Sequence, residues 1–242
     1  MKRLSYRMAA EGMGLALLAA CSGAKTDKPV VTNAADTTVS ASGVDAARRG
    51  KSMIRLVNAV PGAAAVDLTA DDKSVFTAVA YKSVTPYAEI GDNMVKMKLQ
   101  GAGGAPLAEN SETMTDGYRY TVVALPKKDS GVELKVVRDE VVPDSGKVKL
   151  RVIHAAPGMG EIDVLVPGQR DPLFDNINYG TEAGYKELAP MTGVLEIRGE
   201  HGSQSVRLKS MKYEAGKAYT VVISGPAGRK AEVTVFDDTA RM

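Results

Sequence analysis

A segment of 14 residues occurs twice in this chain and constrains its fold more than any other feature. Its sequence is IRLVNAVPGAAAVD at residues 54–67 and LRVIHAAPGMGEID at residues 150–163. Arg55 and Arg151 lie 96 positions apart, and the proline, glycine and aspartate of the two copies keep that spacing. A step of this length is too long for a solenoid repeat but suits a small β-sandwich. The sequence therefore predicts one module used twice.

The repetition continues beyond this segment, and the chain favours strands over helices. Apolar and polar residues alternate with a period of two, whereas no apolar stripe with a helical period is long enough to predict a helix. About seven short strands are expected in each repeat, which favours two tandem immunoglobulin-like β-sandwiches at residues 51–142 and 146–240. Later motifs recur at steps of 98 and 99 residues, namely Tyr81 and Tyr179, Tyr87 and Tyr185, and the segments 117–123 and 216–222.

Each repeated segment contains a Pro-Gly turn between two alternating stretches. This pattern predicts an antiparallel hairpin centred on Pro61 and another centred on Pro157. An arginine would then face an aspartate across each hairpin, as an exposed ion pair that contributes about 0.2–1 kcal/mol and fixes the register. The expected pairs are Arg55 with Asp67 and Arg151 with Asp163.

The N-terminus has the pattern of a bacterial lipoprotein signal. Basic residues are followed by an apolar run at residues 12–20, which is too short to span a bilayer as a helix. The sequence LAAC at residues 18–21 resembles a lipobox, so we expect residues 1–20 to be removed and Cys21 to be lipidated. Glu11 interrupts the approach to the apolar run. Ser22, next to the cysteine, implies sorting to the outer membrane of a two-membrane bacterium.

The remaining composition excludes several classes of function. Residues 21–50 are small and polar and are predicted to be a flexible tether. Removal of the signal leaves 28 basic and 28 acidic residues, so no basic field remains to attract nucleic acid. Cys21 is the only cysteine, which excludes an intrachain disulfide and argues against a metal cluster held by thiolates. No cofactor is expected.

Three motifs together resemble a known bacterial family. They are RVIHAAPG followed by IDV, YGTEAGY, and AGKAYTVVISG, and both repeats fit the pattern over roughly residues 51–240. The chain is similar here to the family called domain of unknown function 4397. The resemblance implies tandem β-sandwiches on secreted or surface-attached proteins, and it implies neither an activity nor site residues. Gly62 and Gly158 depart from the family at a position where relatives often have an acidic residue.

The chemically active side chains of the repeated segments have structural interpretations. His154 is replaced by Asn58 in the first repeat, and both residue types can hydrogen-bond loop backbone, whereas asparagine cannot act as a general base. We therefore predict that both residues tie loops together. With His201 as the only other histidine, a zinc site lacks ligands. The paired acids at residues 71–72 and 237–238 lack the spacing of a calcium loop and are predicted to lie at solvated strand ends.

The favoured function is therefore that of a non-catalytic, lipid-anchored protein of the cell envelope that binds a partner or has a structural role. The expected partners are the membrane, through the lipid, and an envelope protein or a glycan. One alternative is a surface module that binds a glycan or a peptide by stacking on tyrosines, although such rings more often lie at sheet edges with a solvated hydroxyl. A more distant alternative is a hydrolase that uses His154. The candidate ligand-binding residues are Tyr81, Tyr87, Tyr179 and Tyr185.

Overall fold

The computed structural model describes residues 50–91, 93–200 and 204–239. The predicted signal peptide, the lipidation site at Cys21, nearly all of the predicted tether and His201 lie outside the described residues. All described residues belong to the unit Thr37–Met242. Within them, none of the helical segments has the length and apolar character that a membrane crossing requires.

The first repeat contains eight strands in two four-stranded sheets. One sheet has the strand order β4-β1-β7-β8, and the other has the order β3-β2-β5-β6. A short 3₁₀ turn at Ala102–Gly104 separates β5 from β6. The strands are β1 (Lys51–Asn58), β2 (Val66–Ala70), β3 (Lys73–Val79), β4 (Ala88–Gly91), β5 (Asn93–Gln100), β6 (Pro106–Met114), β7 (Arg119–Pro126) and β8 (Val132–Arg138).

The second repeat has the same arrangement with a small addition. Its sheets have the orders β12-β9-β17-β18 and β11-β10-β14-β15, and β13 pairs with β16 as a separate ribbon. The strands are β9 (Val148–Ala155), β10 (Ile162–Leu165), β11 (Phe174–Ile177), β12 (Glu182–Leu188), β13 (Met191–Gly193), β14 (Glu196–Gly199), β15 (Ser205–Arg207), β16 (Met211–Tyr213), β17 (Ala218–Ser224) and β18 (Glu232–Asp237). The prediction of an all-β fold is confirmed.

An apolar core lies between the two sheets of each repeat. In the first repeat, Ile54 and Leu56 of β1 meet Leu68 of β2 and Met97 of β5, and all four side chains are fully buried. In the second repeat, aliphatic and aromatic side chains of β9, β10, β14 and β17 form the equivalent core. The alternating residues recognised in the sequence thus supply the inward faces, as in other β-sandwiches.

The predicted hairpin between the first two strands is wrong. β1 pairs with β4 and, in parallel, with β7, whereas β2 pairs with β3 and β5. The two strands belong to different sheets, so the turn at Pro61 carries the chain from one sheet to the other. The turn at Pro157 does the same between β9 and β10. Alternation alone did not distinguish a hairpin from a crossover between sheets.

The sheets that contain β1 and β9 are buried on both faces. The even-numbered residues of β1 face the core of its own repeat, and Val57 faces a third apolar cluster that both repeats build. From the first repeat this cluster takes Val57, Ala59, Val123, Leu125 and Val137, and from the second it takes Ile153, Ala155 and Val222. The two repeats therefore pack sheet against sheet within one unit.

Candidate functional site at the interface between the repeats

Two buried arginines occupy the interface between the repeats. Arg55 is 3% exposed and Arg151 is fully buried. Each lies on the first strand of its repeat and is paired in register with a threonine on the parallel neighbour strand, because Arg55 is opposite Thr121 and Arg151 is opposite Thr220. The Nε atom of each arginine donates to the threonine hydroxyl, at 2.8 Å and 2.7 Å respectively. The parallel strand pairing thus orients each guanidinium group.

Each arginine forms its ion pair with the opposite repeat. The Nη2 atom of Arg55 donates to Asp238 of the second repeat, and Nη2 of Arg151 donates to Asp139 of the first. The two carboxylates follow β8 and β18 directly, and their side chains are fully buried. The pairing is therefore reciprocal. The carboxylate closest to each arginine belongs to the other repeat.

Two tyrosines close the same group of side chains. The hydroxyl of Tyr87 donates to Asp139 at 2.5 Å, and that of Tyr185 donates to Asp238 at 2.8 Å. Their rings lie 4.7 Å from the guanidinium carbons of Arg55 and Arg151, within the range of a cation–π contact. We call this group the charge cluster; it consists of Arg55, Tyr87, Thr121, Asp139, Arg151, Tyr185, Thr220 and Asp238.

The electrostatics of the charge cluster favour charged arginines and neutral tyrosines. Burial alone would lower the pKa of Arg151, but the surrounding groups, Asp139 first among them, together more than offset this effect and raise the pKa. The pKa of Arg55 is raised in the same way by Asp139 and Asp238. Burial raises the pKa of Tyr87 and Tyr185 well above the usual range. Both tyrosines therefore remain hydrogen-bond donors to the carboxylates.

The predicted exposed ion pairs between Arg55 and Asp67 and between Arg151 and Asp163 are wrong. The Oδ1 atom of Asp67 accepts the backbone N–H of Ala78 at 2.7 Å, and that of Asp163 accepts the N–H of Asn176 at 2.9 Å. Ala78 and Asn176 have positive φ angles of 53° and 51°. The repeated aspartate thus holds an irregularity in the following strand, which the shifted register of β2 with β3 also shows.

His154 and Asn58 occupy equivalent places and bind loop backbone in the same manner. The Nε2 atom of His154 lies 2.8 Å from the carbonyl oxygen of Gly160, and Nδ1 accepts the N–H of Ala156. Asn58 donates to the carbonyl of Val79 and accepts the N–H of Val60. Burial lowers the pKa of His154, which favours the neutral ring with its proton on Nε2. Both nitrogens are occupied in that form.

The four candidate ligand-binding tyrosines all contact the interface. Tyr87 and Tyr185 belong to the charge cluster, while Tyr81 and Tyr179 reach across to the other repeat. The hydroxyl of Tyr81 lies 3.1 Å from that of Ser224, and Tyr179 donates to the carbonyl of Pro126. All four rings are half-buried. The structure thus gives each hydroxyl a protein partner and divides the rings between the two sides of one interface.

A family model matches the first repeat and the beginning of the second. Residues 52–165 match the family described as Domain of unknown function (DUF4397). These residues belong to that family. The DUF4397 match confirms the predicted resemblance for this part of the chain, and it includes Arg55, Tyr87, Asp139 and Arg151 of the charge cluster. The second copy of the family remains a prediction.

Other comparisons add no functional information to the DUF4397 assignment. No curated protein matches the chain. One solved structure, of a suspected cell adhesion protein from Bacteroides fragilis, is 8% identical and covers 73% of this chain and 84% of its own, with a TM-score of 0.23. A family 26 carbohydrate-binding module from Eubacterium rectale, in complex with maltoheptaose, is 11% identical and covers 79% and 98%, also with a TM-score of 0.23. Neither score supports a conclusion about this chain.

Sequence reasoning missed the acidic half of the charge cluster. Asp238 was expected at a solvated strand end but is fully buried, and Asp139 was not singled out. A signal was present, because Asp139 and Asp238 lie 99 positions apart, the same step that relates Thr121 to Thr220. Among the described residues, no group of three or more histidine, cysteine or acidic side chains is placed to bind a metal ion.

Proposed function

We propose that this protein is a non-catalytic module of the bacterial cell envelope, anchored by acyl chains on Cys21, in which the two repeats act as one body. The lipobox-like sequence at residues 18–21 supports the anchor. A neighbouring Ser22 favours the outer membrane as the destination. The tether at residues 21–50 would keep the repeats near the lipid surface while allowing them to reach a partner, which is an envelope protein or a glycan.

The reciprocal ion pairing of Arg55 and Arg151 carries the non-catalytic part of this proposal. The polar residues that recur in both repeats are the ones that a repeated active site would have to use. They are instead bonded to one another across the interface, to loop backbone, or to strand irregularities. A buried and fully bonded network of this kind specifies one arrangement of the repeats. Such an arrangement suits a protein that acts through its outer surfaces.

Metabolic labelling with palmitate tests the anchor. The wild-type chain should incorporate the label and sediment with membranes, whereas Cys21→Ala should do neither. Label that persists on Cys21→Ala, or an unlabelled wild type, would contradict the proposal. A Ser22→Asp variant serves as a control, because it keeps the lipidated cysteine and should change only the membrane in which the labelled protein is found.

Chemical cross-linking in intact cells tests the partner-binding part. The wild-type chain should form a specific adduct with an envelope component, and Cys21→Ala should lose it because the protein is no longer held at the membrane. A chain that is labelled and membrane-bound but forms no adduct would favour a purely structural role.

A further inference from the structure

A cleft opens along one edge of the first sandwich. Its volume is about 490 Å³, within the range of small-ligand sites. It lies between the edge strands β3 and β4, and all four residues of β4 line it. Its apolar lining consists of Ala70, Val75, Ala88 and Ile90, and its charged lining consists of Lys51, Asp71, Lys73 and Glu89.

The second repeat shows why the first one is open at this edge. There, the Nζ atom of Lys186 on β12 donates to the carbonyl of Leu173 at 2.8 Å and lies 5.0 Å from the ring of Phe174. A lysine side chain thus bridges the gap between β12 and β11. The equivalent residue of the first repeat, 98 positions earlier, is Ala88. Alanine cannot cross the gap, and Ala88 and Val75, the counterpart of Leu173, both line the cleft.

The two strands that border the cleft have unused pairing capacity. Within the described residues, β4 pairs with β1 alone and β3 pairs with β2 alone. An edge strand presents backbone N–H and C=O groups that another extended segment can pair with. Peptides bind to sheet edges in this way, with affinity from the backbone and specificity from alternate side chains.

The charges that line the cleft differ in how they are used. Lys51 and Glu89 form an ion pair with each other. Asp71 accepts the backbone N–H of Lys96 at 2.9 Å. Lys73 has no ion-pair or hydrogen-bond partner for its side chain among the described residues. A ligand that carries a carboxylate would therefore find a cation that is not already paired.

We propose that the cleft binds an extended peptide segment that adds as a strand to the edge of β4, with an apolar side chain over Val75 and Ile90 and an acidic side chain at Lys73. The inference rests on the partner-binding part of the proposed function and names the class of partner. A peptide is favoured over a sugar because the cleft is bordered by two strand edges and its floor is aliphatic. In the second repeat, Lys186 covers the equivalent edge.

Amide NMR shifts of the full-length Cys21→Ala chain test this proposal without depending on the lipid. The probe is the capped pentapeptide TVEVT, which has strand-forming residues around a central acid. We expect saturable shifts at Ser74, Val75 and residues 88–91, with weak binding in the range that NMR titrations measure. Ala88→Lys should weaken binding at least tenfold, because it places the covering side chain of the second repeat into the cleft.

Two further measurements distinguish strand addition from other binding. Lys73→Glu should weaken binding of TVEVT and strengthen binding of TVKVT. A misfolded variant would lose binding to both peptides, so this exchange of preference cannot result from misfolding. A TVEVT probe with N-methylated valines should not bind, because it cannot pair with β4. The proposal is overturned if wild type shows no shifts at β4, if the N-methylated probe binds equally well, or if maltoheptaose shifts these amides and the peptide does not. Palmitate labelling of the wild type would still decide the anchor independently.

Discussion

Arg55 and Asp238 lie 183 residues apart in the sequence and form a buried ion pair across the interface between the repeats. The matching pair of Arg151 and Asp139 runs in the opposite direction. Each repeat thus supplies one cation and one anion to the other. The free energy of unfolding of one repeat is therefore coupled to the fold of its neighbour, and we expect the described part of the chain to unfold in one cooperative step.

Removal of one carboxylate from the charge cluster should destabilise both repeats. Asp238→Asn leaves the guanidinium of Arg55 buried without its closest anion, a change that costs about 3–5 kcal/mol in other proteins. Urea unfolding followed by amide exchange should show loss of protection in β1 as well as in β17. Asp72→Asn, which removes an exposed ion pair with Lys98, is the control and should change the free energy of unfolding little. Protection lost only in the second repeat would contradict the coupling.

The tyrosine hydroxyls of the charge cluster should contribute measurably to stability. Tyr185→Phe keeps the ring beside Arg151 but removes the O–H donor to Asp238, and a buried acceptor that loses a partner costs about 1–3 kcal/mol. Thermal and urea unfolding measure the difference. Tyr118→Phe, whose ring lies 4.9 Å from the guanidinium carbon of Arg138 at the surface, should change stability little. Equal effects of the two substitutions would argue against a specific role for the Tyr185 hydroxyl.

Acidification should weaken the second repeat through His154. Burial lowers its pKa in the folded chain, so the unfolded chain takes up a proton first as the pH falls below its usual value of about 6.5. The stability that the neutral ring contributes is present above that pH and decreases as the pH falls towards the folded pKa, with a limiting slope of about 1.4 kcal/mol per pH unit.

The variant His154→Asn introduces the residue type found at the equivalent position 58 of the first repeat. It should remove this part of the pH dependence. Denaturant midpoints measured between pH 7.5 and 5 provide the test, because every other ionisable group is common to the two proteins and the comparison isolates residue 154. The reverse variant, Asn58→His, should add a comparable dependence to the first repeat. Identical slopes for wild type and His154→Asn would show that the buried ring does not control acid stability.

A substitution at Ala78 should raise the free energy of unfolding by relieving a strained backbone conformation. Its φ angle of 53° is a left-handed conformation that costs an alanine roughly 1 kcal/mol, whereas asparagine tolerates it better. Ala78→Asn copies Asn176 of the second repeat and should raise stability by about 0.5–1 kcal/mol. Asn176→Ala should lower it by a similar amount. The two denaturant midpoints should thus move in opposite directions, and movement in the same direction would contradict the explanation.

Much of the fold could be predicted from the sequence. The alternation of apolar and polar residues is a local pattern, and the long repeat is found by comparing the sequence with itself. They located most strands and the equivalence of His154 and Asn58. They did not show which strands pair, because β1 and β7 are joined in parallel from distant parts of the chain, and no local pattern encodes that register. The hairpin prediction failed for this reason.

The charge cluster could not be predicted because its polar residues look like surface residues. In a strand such as β1, a polar residue that alternates with apolar ones normally faces solvent. Here, Arg55 occupies such a position, but the second repeat covers that face. The burial of an arginine at such a position can be predicted only if the packing of the two sheets against each other is known. The counterpart aspartates follow the strands, where solvated acids are common.

The crossed pairing of Arg55 with Asp238 also has a consequence for biosynthesis. The chain is made from its N-terminus at about 5–20 residues per second, so Arg55 emerges roughly 10–40 s before Asp238. During that interval, Asp139 has been synthesised but Asp238 has not. In the finished protein, Asp139 lies 3.6 Å from Arg55 and also forms an ion pair with Arg151. The first repeat is therefore synthesised before its closest ion-pair partners, and a nascent chain that stalls between the two repeats exposes Arg55 and Asp139 without Asp238 and Arg151.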